Sequence, residues 1–122
     1  MILGSVNANR EAIIQIAVLN DDKQSKAIKA VIDTGYTGDL MLPRAIVDEL
    51  RLTLRGIQDA VLGDGSIRIF EMYAGSVIWD GQVRRVEINA SETECLIGMG
   101  LLEDYKLEIE GRSGGIVKIF AL

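Results

Sequence analysis

Asp33 is the residue of this sequence that is best placed to do chemistry. It directly follows the apolar run 30–32 and precedes Thr34 and Gly35. A carboxylate at the end of a buried strand is costly unless it is hydrogen-bonded, paired or neutralised by a proton. Such a carboxylate can act as a general acid or base when a second carboxylate shares its proton. The same three residues are common in turns, so a plain turn is the competing interpretation.

The composition removes most other catalytic systems. The 122 residues contain no histidine, which excludes Ser-His and Cys-His nucleophile systems and His-ligated metal sites. Any catalysis would therefore depend on carboxylates, lysine, tyrosine or the backbone. The single cysteine, Cys95, cannot form an internal disulfide, and its apolar neighbours favour a small core residue.

Length and charge narrow the class of protein further. A chain of 122 residues without a Pro/Gly/Ser-rich linker predicts one domain, 1–122. The net charge of -5 without a basic cluster argues against a nucleic-acid partner, and the glycine spacing gives no phosphate-binding loop. No apolar run reaches the ~18 residues of a membrane span, and residues 1–12 lack a secretion signal, so a cytoplasmic location is expected. No cofactor, metal ion or membrane partner is expected.

Short apolar runs separated by turn residues predict a mainly β chain. Residues 20–23 and 80–81 have hairpin-turn chemistry, and residues 63–66 form the turn of a longer, projecting hairpin. Pro43 predicts the start of a short amphipathic helix over 43–50, and a helical turn is expected within 99–105. The predicted strands cover residues 12–19, 25–32, 40–42, 59–62, 67–73, 74–79, 82–88, 94–98, 106–110 and 115–122.

Three segments, in this order, resemble the retropepsin-like single-domain aspartic proteases, and in particular their small bacterial branch. The first is AVIDTGYTGDLMLP at 30–43, the second is the hairpin around 62–66, and the third is CLIGMGLLEDYKLEI at 95–109. Members of that family carry an apolar-apolar-Asp-Thr/Ser-Gly loop, then a flap hairpin, then an apolar-apolar-Gly motif before a short helix. The order and spacing of the set carry the resemblance, since each motif alone is common.

The resemblance implies a fold and a set of site residues. The fold would be a closed, mainly β, mostly antiparallel acid protease barrel with one or two short helices, equivalent to half of a pepsin. Asp33 would be the catalytic aspartate, with Thr34 and Gly35 as its supports. The flap hairpin would bind substrate through the residues of its tip, which are Leu62, Gly63, Asp64, Gly65 and Ser66.

The resemblance also implies a homodimer, because the sequence holds a single Asp-Thr-Gly. A twofold axis would bring the two Asp33 residues together, with the terminal segments 1–6 and 116–122 pairing as strands across that axis. The implied activity is that of an aspartic endopeptidase with an acidic to mildly acidic, bell-shaped pH profile. Two alternatives stay open: the same barrel as a catalytically weak or inactive peptide-binding and dimerisation module, and an unrelated small β-barrel in which Asp33 only forms a turn.

Four residues need a separate interpretation. Tyr36 is large where viral members of the family carry a small residue. Asp64 at the flap tip would disfavour acidic peptides if it contacts substrate, although a plain turn aspartate is an equally good interpretation. Tyr73 and Trp79 could shape a substrate pocket, but aromatic residues on strands more often pack in the core.

Overall fold

Ten strands and two short helices make up the computed structural model, which describes residues 1–61 and 63–122. The helices are α1 (Arg44–Glu49) and α2 (Met99–Leu102). The strands are β1 (Ile2–Val6), β2 (Ala12–Leu19), β3 (Ser25–Ile32), β4 (Leu40–Pro43), β5 (Thr53–Val61), β6 (Ile67–Trp79), β7 (Gln82–Ser91), β8 (Leu96–Ile97), β9 (Tyr105–Ile109) and β10 (Ile116–Ala121).

Six of these strands close into a barrel. Their order around it is β6-β7-β4-β8-β3-β2, and a further pairing of β2 with β6 closes the ring. The pairings are antiparallel except for β3 with β8 and β4 with β7, which are parallel. Closure leaves no unpaired sheet edge within the ring. The predicted closed, mainly antiparallel barrel with two short helices is confirmed.

The barrel is filled by the inward-facing residues of its strands. Along β2, Ala12, Ile14, Ile16 and Val18 are buried while the residues between them are more exposed, which is the period-two pattern of a strand with one face in the core. Trp79 is 2% exposed and meets Tyr105 edge to face at 5.7 Å. The prediction that Trp79 belongs to the core is confirmed.

The long hairpin formed by β5 and β6 differs from its predicted form. β5 begins at Thr53, and β6 runs without a break to Trp79, where the sequence predicted two strands that meet at 73–74. The strand continues through Gly75 and Ser76 because its partners overlap: β5 pairs with its first part, and β7 and β2 with its second. Tyr73, within this strand, is buried as predicted for a core residue.

The two helices are shorter than their predicted limits. Pro43 ends β4 with an extended backbone (φ -57, ψ 142), so α1 begins at Arg44 instead of at the proline. α2 ends at Leu102, and Asp104 then takes a left-handed conformation (φ 66) that leads into β9. Within the described residues, no helix has the length and apolar content to cross a membrane.

The terminal strands pair inside one chain. β1 lies between β2 and β10, and β10 lies between β1 and β9. The backbone edges of both strands are therefore largely occupied, and the outermost strands of the sheet are β5 and β9. A dimer that pairs through segments 1–6 and 116–122, as the resemblance implies, would require these strands to exchange their partners.

Core packing around Ile88 gives a test of this architecture. Ile88 on β7 has no solvent-accessible surface, so Ile88→Ala should lower the free energy of unfolding by about 2–5 kcal/mol through lost burial and a cavity. Val83 on the same strand is 68% exposed, and Val83→Ala should cost under about 1 kcal/mol. Urea denaturation measures both variants, and equal losses would contradict the described core.

Candidate active site

Asp33 is the first residue after β3, and it is half-buried. Its backbone N–H donates a hydrogen bond to the carbonyl oxygen of Ile97 (2.9 Å), which continues the pairing of β3 with β8. The N–H of Gly35 donates to the Asp33 Oδ1 atom at 2.9 Å. One carboxylate oxygen is thus held by the backbone two residues on, and this fixes the orientation of the side chain.

The loop after Asp33 is held against the start of α2 by consecutive backbone hydrogen bonds. The amides of residues 98–100 donate to three carbonyl oxygens of the loop, at 2.8 to 3.0 Å; the acceptors are Asp39, Tyr36 and Gly38 in that order. Backbone groups need partners when they leave water, and here the two loops satisfy each other. The loop that carries Asp33 is therefore fixed from behind by the segment that follows β8.

This contact depends on a glycine. A Cβ atom on Gly98 would overlap the carbonyl oxygen of Gly38 and the ring of Tyr36, and one on Gly100 would overlap the carboxylate of Asp39. The obstructing atoms at Gly98 include backbone, so no rotamer change relieves the overlap. The apolar-apolar-Gly pattern of the sequence thus has a steric reason, which is the close approach of two backbones.

Tyr36 supports the same loop from the side. Its hydroxyl oxygen lies 3.2 Å from the carbonyl oxygen of Leu40 and in short hydrogen-bond contact with Oδ1 of Asn89 on β7. Burial, reinforced by the negative charges of Asp39 and Glu87, raises the pKa of Tyr36 well above its usual range. Tyr36 therefore stays a neutral donor, and its size provides the link from the loop to β7.

A cavity of about 530 Å³ opens beside the carboxylate of Asp33. One wall is the Asp33 loop with β4, and the opposite wall is the face of the β5–β6 hairpin that bears Gln58, Arg68 and Phe70. The full lining comprises Asp33, Gly35, Tyr36, Thr37, Gly38, Met41, Gln58, Val61, Arg68, Phe70, Glu87, Asn89, Glu94 and Leu96.

A second cavity of about 480 Å³ lies on the other side of Asp33. Asp33, Glu94 and Leu96 line both cavities, so the carboxylate stands where they join. A ligand that occupied both cavities would have to be extended, and it would contact Asp33. This arrangement suits a chain-like ligand better than a compact one.

The tip of the hairpin contributes less to the cavity than the sequence predicted. Of the five predicted substrate-binding residues, Gly63, Asp64, Gly65 and Ser66 do not line the Asp33 cavity, and Leu62 lies outside the described residues. The Asp64 carboxylate accepts hydrogen bonds from the Ser66 hydroxyl (2.6 Å) and N–H (2.9 Å), which lower the pKa of Asp64. Both hydrogen bonds lie within the turn, which agrees with the interpretation of Asp64 as a plain turn aspartate.

Thr34 and Gly35 differ in what the structure shows of them. Gly35 lines the cavity and its amide holds the carboxylate of Asp33. Thr34 is exposed, and its hydroxyl makes no hydrogen bond to any residue that the structure describes. The role of Thr34 as a support of Asp33 stays a prediction.

Several residues of the cavity were not predicted from the sequence. Arg68 and Phe70 could have been found, because the turn fixes the hairpin register and residues two apart on a strand share a face. Asn89 carries no local signal; its partner Tyr36 is 53 residues away. Its Nδ2 atom is buried without a hydrogen-bond partner among the described residues. In residues 1–61 and 63–122, no group of three or more His, Cys, Asp or Glu side chains could hold a metal ion.

The fold has a counterpart among solved structures. The chain superimposes on a retropepsin-like aspartic protease from Rickettsia conorii with a TM-score of 0.60 and 18% sequence identity, over 99% of this chain and 90% of that one. No protein-family model and no curated protein matches the sequence. The chain therefore has the retropepsin-like fold, and the interpretation as an unrelated small barrel is wrong.

Gly98→Ala tests the backbone contact behind Asp33. The added methyl group would force the two loops apart, and we expect a loss of about 3 kcal/mol or more in the free energy of unfolding. Gly111→Ala is the matched control, because a Cβ there meets open space and should change stability by less than about 1 kcal/mol. Chemical denaturation of the two variants decides; equal stability would show that the loops do not touch.

The raised pKa of Tyr36 predicts alkaline destabilisation. An unfolded tyrosine loses its proton near pH 10, whereas the folded chain keeps Tyr36 protonated, so its contribution is complete below about pH 10 and is lost as the pH rises further. Tyr73, whose pKa is raised chiefly by its hydrogen bond to Glu71, adds to the same trend. Urea midpoints between about pH 8 and pH 11 should fall less steeply for Tyr36→Phe than for the unaltered protein. Parallel curves would refute this role of Tyr36.

Proposed function

We propose that this chain is an aspartic endopeptidase of the retropepsin-like group, within its small bacterial branch, and that residues 1–122 act as one domain. The observation that carries the proposal is the carboxylate of Asp33, held by the Gly35 amide where two cavities meet. A fixed carboxylate beside an extended groove is one half of the site that hydrolysis of a peptide chain by an aspartic dyad requires. The location of the protein in the cytoplasm remains a prediction.

The proposed chemistry uses two copies of Asp33 and one water molecule. One carboxylate takes a proton from the water as the water attacks the peptide carbonyl, while the other, protonated, donates to the carbonyl oxygen. Collapse of the tetrahedral intermediate breaks the C–N bond: the leaving nitrogen takes the proton that the first carboxylate removed from the water, and a hydroxyl of the intermediate returns its proton to the second carboxylate. The reaction needs no covalent intermediate with the enzyme.

The second carboxylate comes from a second copy of the chain, because one chain contains a single Asp-Thr-Gly. The β5–β6 hairpin acts as a flap, since its inner face forms the wall of the cavity opposite Asp33. Thr34, exposed beside Asp33, would then lie near the second copy. In this proposal the dimer completes the site instead of adding a separate surface.

A second candidate function is a peptide-binding module with weak or no hydrolysis. The pairing of β1 and β10 within one chain favours it, because the strands expected to join two copies already have partners. A monomer would hold one Asp33 in an extended groove, which can bind a peptide but lacks the second carboxylate.

Cleavage of a diverse peptide mixture between about pH 3 and pH 8 separates the two candidates. For the endopeptidase, activity should rise with roughly the square of protein concentration wherever the monomer predominates, follow a bell-shaped pH profile, and disappear in Asp33→Asn. Asp22→Asn, on an exposed turn, makes the same chemical change away from the cavity and should retain activity. Cleavage that survives in Asp33→Asn would sink the proposed mechanism, while peptide binding without cleavage would favour the module.

A further inference from the structure

Arg68 brings a positive charge into the cavity that contains Asp33. It lies on β6 two residues before Phe70, so both side chains are on one face of the hairpin, together with Gln58, which pairs with Phe70. All three residues line the cavity. The inner face of the hairpin thus presents a guanidinium group across from the candidate catalytic carboxylate.

The guanidinium group of Arg68 is oriented but not neutralised. Its central carbon lies 5.0 Å from the centre of the Phe70 ring, a cation–π contact that restrains the side chain. Among the residues that the structure describes, no carboxylate lies within ion-pair distance of Arg68. Arg44 of α1, in contrast, forms an ion pair with Glu71, which lies on β6 as Arg68 does. The hydrogen-bond donors of Arg68 are therefore available to a ligand.

We propose that Arg68 is a specificity-determining residue that binds an acidic side chain of the peptide substrate. This inference rests on the proposed function, and it narrows the substrate class to peptides with Asp or Glu near the cleaved bond. A guanidinium group binds a carboxylate through two parallel N–H···O hydrogen bonds, a geometry that neutral side chains cannot match.

The other charged residues of the cavity limit the preference for an acidic side chain to the substrate positions near Arg68. Glu87 and Glu94 are exposed and line the same cavity as Asp33, so an acidic ligand is repelled near these three carboxylates. Among the described residues that line this cavity, Arg68 on the hairpin is the only one with a positive charge, and Lys29 lines the second cavity. In the proposed homodimer the twofold axis supplies two Arg68 side chains, so an acidic residue should be favoured at one position on each side of the cleaved bond and disfavoured at the positions nearest Glu87 and Glu94.

The test compares peptides that differ only by Glu, Gln or Lys at each position around the cleaved bond. At one position on each side of the cleaved bond, the unaltered protein should cleave the Glu peptide with a kcat/KM about three- to tenfold higher, above the effect of a fully exposed ion pair. Arg68→Gln should abolish the preference, and Arg68→Glu should shift it to Lys. Arg55→Glu reverses a charge on the same hairpin outside the cavity and should leave the preference intact.

Binding to the Asp33→Asn protein separates this inference from the proposed function. If the unaltered protein cleaves no peptide, the affinities of labelled Glu and Gln peptides for Asp33→Asn, with and without Arg68→Gln, still report on Arg68. Tighter binding of the Glu peptide that depends on Arg68 supports the inference even then. A preference that is absent, or that persists in both Arg68 variants, overturns the inference and leaves the endopeptidase proposal untouched.

Discussion

The backbone hydrogen bonds between residues 98–100 and the loop after Asp33 are the constraint on which the site depends. The parallel pairing of β3 with β8 ends beside these bonds, so the strand that delivers Asp33 and the segment that supports it are fixed by one continuous set of contacts. Only glycine at position 98 allows this approach. The Gly35 amide holds the Asp33 carboxylate in one orientation. This orientation is fixed relative to the rest of the site only because the loop backbone cannot move independently.

The two walls of the cavity differ in construction. The Asp33 loop is tied to β8, α2 and β7, whereas the hairpin wall is a two-stranded projection whose outer face is open to solvent. That outer face is apolar: Ile57, Ile67 and Ile69 are each at least 65% exposed. Hairpins with few tertiary contacts open at low free-energy cost, so the geometry combines a fixed carboxylate with a wall that can yield to a ligand.

Local features of this fold could be predicted from sequence, and distant pairings could not. The turn at Asp80 and Gly81 and the loop at Asp33 follow from residue types that favour one backbone conformation. The contact of Tyr36 with Asn89 and the pairing of β1 with β10 join residues far apart in the chain, where no local preference applies. Arg68 falls between the two cases. The hairpin register would have placed Arg68 on the cavity face, whereas the prediction relied on the turn residues and therefore named Asp64.

The pairing of β1 with β10 also has a consequence for how the protein is made. Ile2 pairs with Ile119, and β3 pairs with β8. These strands therefore acquire their partners only when residues much later in the sequence have been made. Contacts of such large sequence separation slow folding, because the entropy of closing a long loop is lost before the contact contributes any stabilising free energy. On the ribosome, β10 would still be inside the exit tunnel while β1 is exposed. The Asp33 loop, which needs residues 98–100 behind it, would therefore assemble only after those residues have left the ribosome.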